Sequence, residues 1–490
     1  MDVITGSGSQ NFIFGTMIVA PRIAVVGAGI GGLALGAILT RKLPKAKVTI
    51  LERSHTNRDE GYGLDLDEHG QEALVRAGVD HRFWEVSRLR SDTWNTFPLK
   101  GSEPLFTKFT RTREAESNRA GIRDIFIDAI QERGSSIEFE HHVADVRPTD
   151  NKAVEIVAHD GSVIGEYDLV FDACGLHSPL RTHRVTDPIG KHFTGRTLIH
   201  GVINSPEEST CPQLVKRLGE GTVLAVGRGY FIILQRFGAD FEDKRTAFFY
   251  HAGLQEKDGA IQEEMGITES TSRESGILRR GDDDFVKAQE WLHDDMGNFF
   301  DPLWHTAIDG LDRVTVRGDY SHGSETKLRT DSESTTLPFV CCGDSLRNIG
   351  LGGGGNLAIQ DALGYSKVLS KGEPFDPETG RLTTNALEAL REEEAEALKR
   401  KQEHYKRQVN SQGMMHVRDP KVDPNCTRLG DFADKWHWRF LLNAGGNLLH
   451  AATKFAEWKG WTEGSDETTV LHPQVLQAMK EEGIPLPDAK

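Results

Sequence analysis

Ile23 to Val26 is an unbroken apolar run, and beyond the glycines that follow it Ile30, Leu33, Ala34, Ala37 and Ile38 return at the spacing of one helix face. The first pattern predicts a strand buried on both sides and the second a helix packed on it. Pro44 closes the helix, and Val48 to Leu51 opens another apolar run, so the segment reads as a strand, a helix and a strand of a parallel unit. Phe126 to Ile130 predicts a further helix, and Asp168 to Phe171 a further strand. From about Arg196 to Arg317 the pattern changes. Runs such as GTVLAVGRGYFIILQRF and RTAFFYHAG alternate with longer polar connections, which predicts a mostly antiparallel layer covering something. Tyr230, Phe231, Gln235 and Arg236 lie on one such strand, so one parity alone can face an enclosed space, and alternation leaves open which. Thr336 to Cys342 returns to a buried strand. Ala358, Ala362, Tyr365 and Leu369 then recur at helical spacing in a helix beginning near Asn356. Asn385 to Gln408 predicts one long helix whose KRKQEHYKRQ block is a solvated face. The aromatics of WHWRF, Trp436 to Phe440, read as core, and Leu441 to Trp458 as a helix packed on the body of the protein rather than lying on a membrane.

A chain of 490 residues is too long for one core and fits two domains with an extension. Its formal net charge of -16 argues against a nucleic acid or an anionic membrane surface as partner and makes small molecules the default. The five cysteines are odd in number and follow no zinc or redox spacing, which fits a reducing compartment without disulfides. No Lys or Arg occurs in the first twenty residues, so the leader lacks the basic start of a secretory signal. No apolar run approaches the length of about eighteen residues that a transmembrane helix needs. The expectation is a cytoplasmic protein without a transmembrane segment.

Gly27-x-Gly29-x-x-Gly32 sits between the first strand and its helix, and Glu52 stands at the end of the next strand, twenty residues beyond Gly32. Glycines there permit a tight turn and close approach of a pyrophosphate, the helix start favours its charge, and a terminal acid accepts hydrogen bonds from ribose hydroxyls. This context predicts a dinucleotide site and leaves FAD and NAD as alternatives. Gly350-x-Gly352-x-x-Gly355 matches the same pattern, yet no second strand with a terminal acid follows it, so a second unit of this kind is rejected. Adjacent His141 and His142 would point apart on a strand and have no carboxylate or cysteine at ligand spacing, so no metal site is expected.

Three motifs together resemble the single-component FAD-dependent monooxygenases, the aromatic hydroxylase family. They are the Gly27–Gly32 fingerprint with Glu52, the stretch DLVFDACGLHSPLR with Gly175, Ser178 and Arg181, and Gly343-Asp344 followed by a Gly-rich turn, Asn356 and Asp361-Ala362. Order and spacing match over roughly residues 20 to 375. GYGLDLDEHGQEALVRAG and Arg123 in GIRDIFIDAI further resemble the tetracycline-inactivating branch, whose arginine at the matching place contacts the flavin. Two departures stand out. Cys174 replaces the usual acid of the middle motif, and Ser345-Leu346-Arg347 with a Pro-free turn replaces the usual Ala-Ala-His and proline. Arg347 reads equally as a phosphate or substrate contact and as a surface salt bridge.

The resemblance implies an α/β fold: a Rossmann-like FAD-binding domain over 21–195 and 318–375, an antiparallel substrate domain over 196–317, a leader over 1–20 and a helical C-terminal region over 376–490. It implies cofactor contacts from Gly27, Gly29, Gly32, Glu52, Arg53, Arg123, Asp344, Gly354, Gly355 and Asn356, and names no catalytic side chain. The implied reaction reduces FAD with NAD(P)H and uses O₂ to form a flavin C4a-hydroperoxide, which oxygenates a bulky, aromatic or polycyclic small molecule. Free N–H groups at the start of the helix near Asn356 would then stabilise negative charge on the reduced ring. Baeyer–Villiger insertion, epoxidation or dehydrogenation on the same fold remain alternatives, as does a non-catalytic protein retaining the dinucleotide fold.

Overall fold

The computed structural model describes residues 19–55, 63–88, 93–98, 106–109, 115–205, 212–213, 216, 222–227, 230–237, 245–252, 257–267, 277–297, 301–323, 325–350, 353–415 and 472–485. Almost all of the leader, Leu351 and Gly352, the WHWRF stretch and the Leu441–Trp458 run lie outside the described residues.

Five parallel strands stand in the order Phe339–Cys341, Leu169–Asp172, Arg22–Val26, Lys47–Leu51 and Ser136–Glu138. Their apolar runs are buried on both faces, as expected for strands sandwiched between layers. The chain leaves Arg22–Val26 toward one neighbour and returns later on its other side. Strand order therefore reverses at that strand, where open α/β sheets form a ligand crevice at their carboxyl ends. Register brings those ends into line, with Val26 opposite Leu51 and Asp172, and Asp172 opposite Cys341. Helices Ile30–Lys42, Arg119–Glu132 and Gly354–Leu369 share one core with this sheet, built on Leu33, Ile38, Phe126, Phe171 and Tyr365. A Cβ on Gly31 would come within 2.7 Å of the Ala358 Cβ, so the first and third of these helices cross backbone to backbone.

The second sheet has eight strands in the order Leu278–Arg279, Arg313–His322, Lys191–Asn204, Arg245–Ala252, Tyr230–Phe237, Thr222–Gly227, Thr93–Pro98 and Phe106–Phe109. All neighbours are antiparallel except Thr222–Gly227 beside Thr93–Pro98. The sheet thus reaches past the stretch 196–317, recruiting two strands from much earlier in the chain. Helices Asp283–Met296 and Pro302–Asp309 cover one face, packing Phe285, Leu292 and Trp304 against Ile199, Ile232, Leu234, Phe248 and Tyr250. This packing settles the strand parity that alternation left open. Ile232 and Leu234 face the helices, so Gln235 faces the other way, where its amide donates to Asp65.

The long C-terminal helix spans Thr384–Met415. Pro473–Glu481, capped by the His472 ring accepting from the Gln474 N–H, packs Val475, Ala478 and Met479 on Val75. Its end carries Glu482, which pairs with Arg41, Lys42 and Arg76. One sequence boundary is corrected: Ser332–Thr336 is helical and the strand is confined to Phe339–Cys341. Asp331 accepts from the Ser334 N–H at 2.9 Å and the Thr335 and Thr336 hydroxyls bond back to the carbonyls of Asp331 and Ser332, polar contacts in a turn of helix that apolar patterning does not register. No helix among the described residues is long and apolar enough to cross a membrane.

Candidate functional site

At the carboxyl ends of the parallel strands the fingerprint glycines do different jobs. Gly27 has φ +108°, and a Cβ on it would lie 2.4 Å from the Ala173 carbonyl oxygen. On Gly32 it would lie 2.1 Å from the Gly27 oxygen. Both are demanded by the turn itself. A Cβ on Gly29 would meet nothing within 4 Å, so this glycine opens onto space beside the helix start, where Ile30, Gly31 and Gly32 present N–H groups without intrahelical acceptors. Glu52 accepts from the Ala28 N–H at 2.8 Å and the Ser54 N–H at 2.9 Å. Burial opposes its ionisation, but those two bonds, a bond from the Ser54 side chain and the Arg123 charge outweigh it and hold the carboxyl below its usual range. With the Ser54 side chain also bonded to it, the carboxylate has taken three of its roughly four acceptor positions and keeps one for a further donor. Arg53 is exposed beside this turn, and Arg123 is 5% exposed on the neighbouring helix.

The middle motif braces the crevice. Ser178 donates to Asp172 at 2.6 Å, and Arg181 donates through Nε to the Ser345 carbonyl at 3.1 Å. Both tie the end of Leu169–Asp172 to the loop carrying Asp344. Cys174 lies against this brace with its thiol pushed well up by burial and by Asp172, so it is protonated and unreactive.

Gly343, at φ +65°, turns the chain into the short helix Asp344–Arg347. Its N–H donates to Asp361 at 2.9 Å, and Lys401 of the long C-terminal helix pairs with the same carboxylate oxygen at 2.9 Å. Gly353, at φ +77°, then starts the helix Gly354–Leu369, two residues earlier than patterning places it. Gly354, Gly355 and Asn356 supply N–H groups that the helix leaves without internal acceptors. A Cβ on Gly354 would sit 3.5 Å from the Asp344 carboxylate, and one on Gly355 would sit 3.9 Å from Ile30, so the two glycine-rich helix starts are neighbours. The Asn356 amide donates to the Asp65 carbonyl at 2.8 Å, which makes its side chain a brace to Gly63–Leu66. Burial pushes the Asp344 carboxyl up, against the pull of Lys401, an Asn348 hydrogen bond and Arg119.

Opposite stands the face of the eight-stranded sheet that turns away from its two covering helices. His200 is 6% exposed and its Nδ1 lies 3.4 Å from the Arg317 guanidinium. Burial, then Arg317 and Arg119, push the imidazole well below its ordinary range, so His200 is neutral near pH 7. Arg119, four residues before Arg123 on one helix face, has its guanidinium brought down to about 10 by burial and by the charges of Arg123 and Arg317. The result is a cationic wall facing Asp344, of which sequence reasoning named Arg123 alone. Arg119 and Arg123 at helical spacing were the available signal, whereas His200 and Arg317 meet only through strand register. A cleft of about 620 Å³ lies elsewhere, lined by Glu373, Glu392, Glu393 and Glu396 on the outside of the C-terminal helix.

Two clusters outside the crevice are local structure. Asp67 accepts from the His69 and Gly70 N–H groups as the cap of Glu68–Ala77, which draws Asp67, Glu68 and His69 together. His141 has a carboxylate neighbour after all, Glu138 at 3.4 Å, as a solvent-facing ion pair.

No protein-family model matches the chain. Monooxygenase 1 of Arabidopsis thaliana is 27% identical over 215 residues, 42% of this chain and 50% of that protein. FAD-dependent monooxygenase adaC of Aspergillus niger is 24% identical over 224 residues, 43% of this chain and 52% of that protein. The chain therefore spans about half the length of the curated relatives it matches. Among solved structures, HpxO of Klebsiella pneumoniae complexed with FAD and uric acid matches with a TM-score of 0.63 at 17% identity, covering 86% of this chain and 92% of that one. The 2,6-dihydroxypyridine-3-hydroxylase of Arthrobacter nicotinovorans matches with a TM-score of 0.65 at 15% identity, covering 84% and 97%. The fold is that of the FAD-binding aromatic hydroxylases. The crevice described above falls between the parallel sheet and the face of the antiparallel one that carries His200 and Gln235.

Proposed function

We propose that this chain is an FAD-dependent monooxygenase that uses NAD(P)H and O₂ to oxygenate a bulky, aromatic or polycyclic small molecule. The observation that carries the reading is the meeting of two glycine-rich helix starts at one end of the parallel sheet, with Glu52 and Asp344 on either side. FAD fits these residues. Gly29 leaves room at the first helix start for a pyrophosphate, Glu52 keeps acceptor capacity for a ribose hydroxyl, and Arg123 lies close enough to Glu52 to share its charge. Asp344 would accept from the ribityl chain, and the N–H groups of Gly354, Gly355 and Asn356 would meet the ring's negative edge. Gly27 and Gly32 hold the turn, and Arg53 stands at its rim.

Bound and reduced, FAD supplies the activation of O₂ and the transfer of one oxygen atom. The chain's own residues enclose and polarise the place where this happens. The sheet face with His200 and Gln235 excludes water, and neutral His200 can hold a proton on one ring nitrogen while its Nδ1 accepts from Arg317. Arg119, Arg123 and Arg317 favour negative charge developing on the substrate or ring edge. We also read GYGLDLDEHGQEALVRAG and Arg123 as support for nearness to the tetracycline-inactivating branch.

Purified protein should take up FAD, turn yellow, and oxidise NADPH with matching O₂ uptake that rises when a substrate is added. Protein that stays colourless after FAD is supplied would sink the proposal. Asp344→Ala should weaken FAD binding by about tenfold to a hundredfold, the loss of one to two charge-assisted hydrogen bonds, read by flavin fluorescence titration.

A further inference from the structure

One face of the long C-terminal helix follows the chain from the end of Phe339–Cys341 to the start of Gly354–Leu369. Glu394 takes the Cys341 N–H at 2.8 Å. Lys401 pairs with Asp361 Oδ2 at 2.9 Å, the oxygen that also accepts from the Gly343 N–H at 2.9 Å. The Tyr405 ring lies 4.8 Å from the guanidinium of Arg347, which is 1% exposed and so is not the surface salt bridge that the sequence allowed. A Cβ on Gly353 would come within 2.9 Å of His404 Nε2. Residues 394, 401, 404 and 405 share one side of a helix, so a single rigid element touches the loop that carries Asp344 at both of its ends and in between.

Lys401 stands out among these contacts. It and Asp361 are each 1% exposed, and a buried ion pair adds little net stability over well-packed apolar side chains. What the ammonium adds is a charge at one place. It and the Gly343 nitrogen both lie 2.9 Å from the same oxygen, so they stand no further apart than twice that distance, and Asp344 is the next residue. Burial pushes the Asp344 carboxyl up, and Lys401 leads the groups that pull it back, ahead of an Asn348 hydrogen bond and Arg119, while Asp361 adds to the push. Arg400 reaches the other Asp361 oxygen at 3.4 Å, and burial, with Asp361, keeps the Cys342 thiol neutral. The charge balance at Asp344 thus turns on one ammonium delivered by the C-terminal helix.

We propose that Lys401 is a positioning residue for FAD, holding Asp361 on the Gly343 N–H and presenting Asp344 to the ribityl hydroxyls as an ionised acceptor. The inference rests on the flavin reading and extends it to a residue that acts through Asp344.

FAD titrations of the full chain, followed by flavin fluorescence between about pH 5 and about pH 9, test this directly. An ionised Asp344 is the acceptor, so affinity is full above its pKa and falls as pH drops through it. In Lys401→Met that fall should move to higher pH by about one unit, with binding up to about tenfold weaker at the acid end and close to the parent at the alkaline end. Lys401→Met/Asp361→Asn removes both charges of the pair and keeps an acceptor for the Gly343 N–H, so it should fold even if the single variant does not. It should show a smaller move in the same direction, because Lys401 outweighs Asp361 at Asp344. Asp344→Asn should bind FAD without that fall, and adding Lys401→Met to it should cost nothing further. A pH profile that both Lys401 variants leave where the parent has it, or a Lys401→Met loss that is equally large beside Asp344→Asn, overturns this inference while FAD binding stands. A parent that binds no FAD overturns the flavin reading together with it.

Discussion

Gly32→Ala should fail to accumulate as folded protein, whereas Gly29→Ala, three residues away in the same motif, should fold like the parent and lose flavin. The two outcomes follow from what each added methyl would meet. At position 32 it would lie 2.1 Å from the Gly27 oxygen and 3.1 Å from the Ala173 Cβ. The obstacle is backbone, which cannot swing aside, and the Gly27 N–H is itself tied to the Leu51 carbonyl at 2.7 Å. Overpacking of this kind costs about 1–3 kcal/mol where neighbours can yield, and more where they cannot. At position 29 the methyl meets no protein atom within 4 Å, and the backbone is extended at φ -71°, ψ 174°. Folding should change little there, with a gain of up to about 1 kcal/mol from a less flexible unfolded chain. Thermal unfolding by circular dichroism, alongside flavin absorbance of the purified variants, separates the two effects. A Gly29→Ala protein that binds FAD as tightly as the parent would remove the pyrophosphate from this helix start.

The second large effect is expected far from the crevice, at Glu394. Glu394 is fully buried in the C-terminal helix, accepts from Arg184 at 2.6 Å through Oε2, and takes the Cys341 N–H at 2.8 Å through Oε1. Glu394 Oε2 also takes Arg391 at 3.2 Å, and Arg184 is 2% exposed, so Glu394→Ala removes the carboxylate from two arginines and from a strand-end N–H. Breaking a buried pair from one side costs about 3–5 kcal/mol, and urea unfolding should show it as a large fall in midpoint. Arg184→Met/Glu394→Leu should recover part of the loss, because the desolvation of those two charges is then no longer incurred while Arg391 keeps its bonds to the Phe339, Ser334 and Leu337 carbonyls. An unchanged midpoint in Glu394→Ala would mean that the C-terminal helix does not hold the strand that leads to Asp344.

What the sequence could and could not reveal divides along physical lines. Gly27, Gly32 and Glu52 were legible because a tight turn, a helix start and a strand-end acid lie within one local segment. The mostly antiparallel layer was legible from its alternating runs. Its recruitment of Thr93–Pro98 and Phe106–Phe109 was not, because strand partners far apart in the chain are chosen by register and not by local pattern. The same limit hid His200 and Arg317, and it left the facing parity of Gln235 undecided until the helices over Ile232 and Leu234 fixed it. Arg347 stood equally as a phosphate or substrate contact and as a surface salt bridge, and local pattern could not choose for a related reason. A charged residue after a strand reads as solvent-facing, and only the return of Tyr405 from the C-terminal helix shows it enclosed.

The contact between the helix Pro473–Glu481 and Val75 has a consequence for how the protein is made. The first strand, helix and strand can pair soon after they leave the ribosome, yet the patch at Val75 and the cations Arg41, Lys42 and Arg76 wait for partners about 400 residues later. At about 5–20 residues per second that interval lasts about 20–80 s. During it the nascent chain carries an unfinished surface at the end of the first helix away from its nucleotide crevice, so growing chains of this protein should be bound by chaperones until the distal helix emerges and docks.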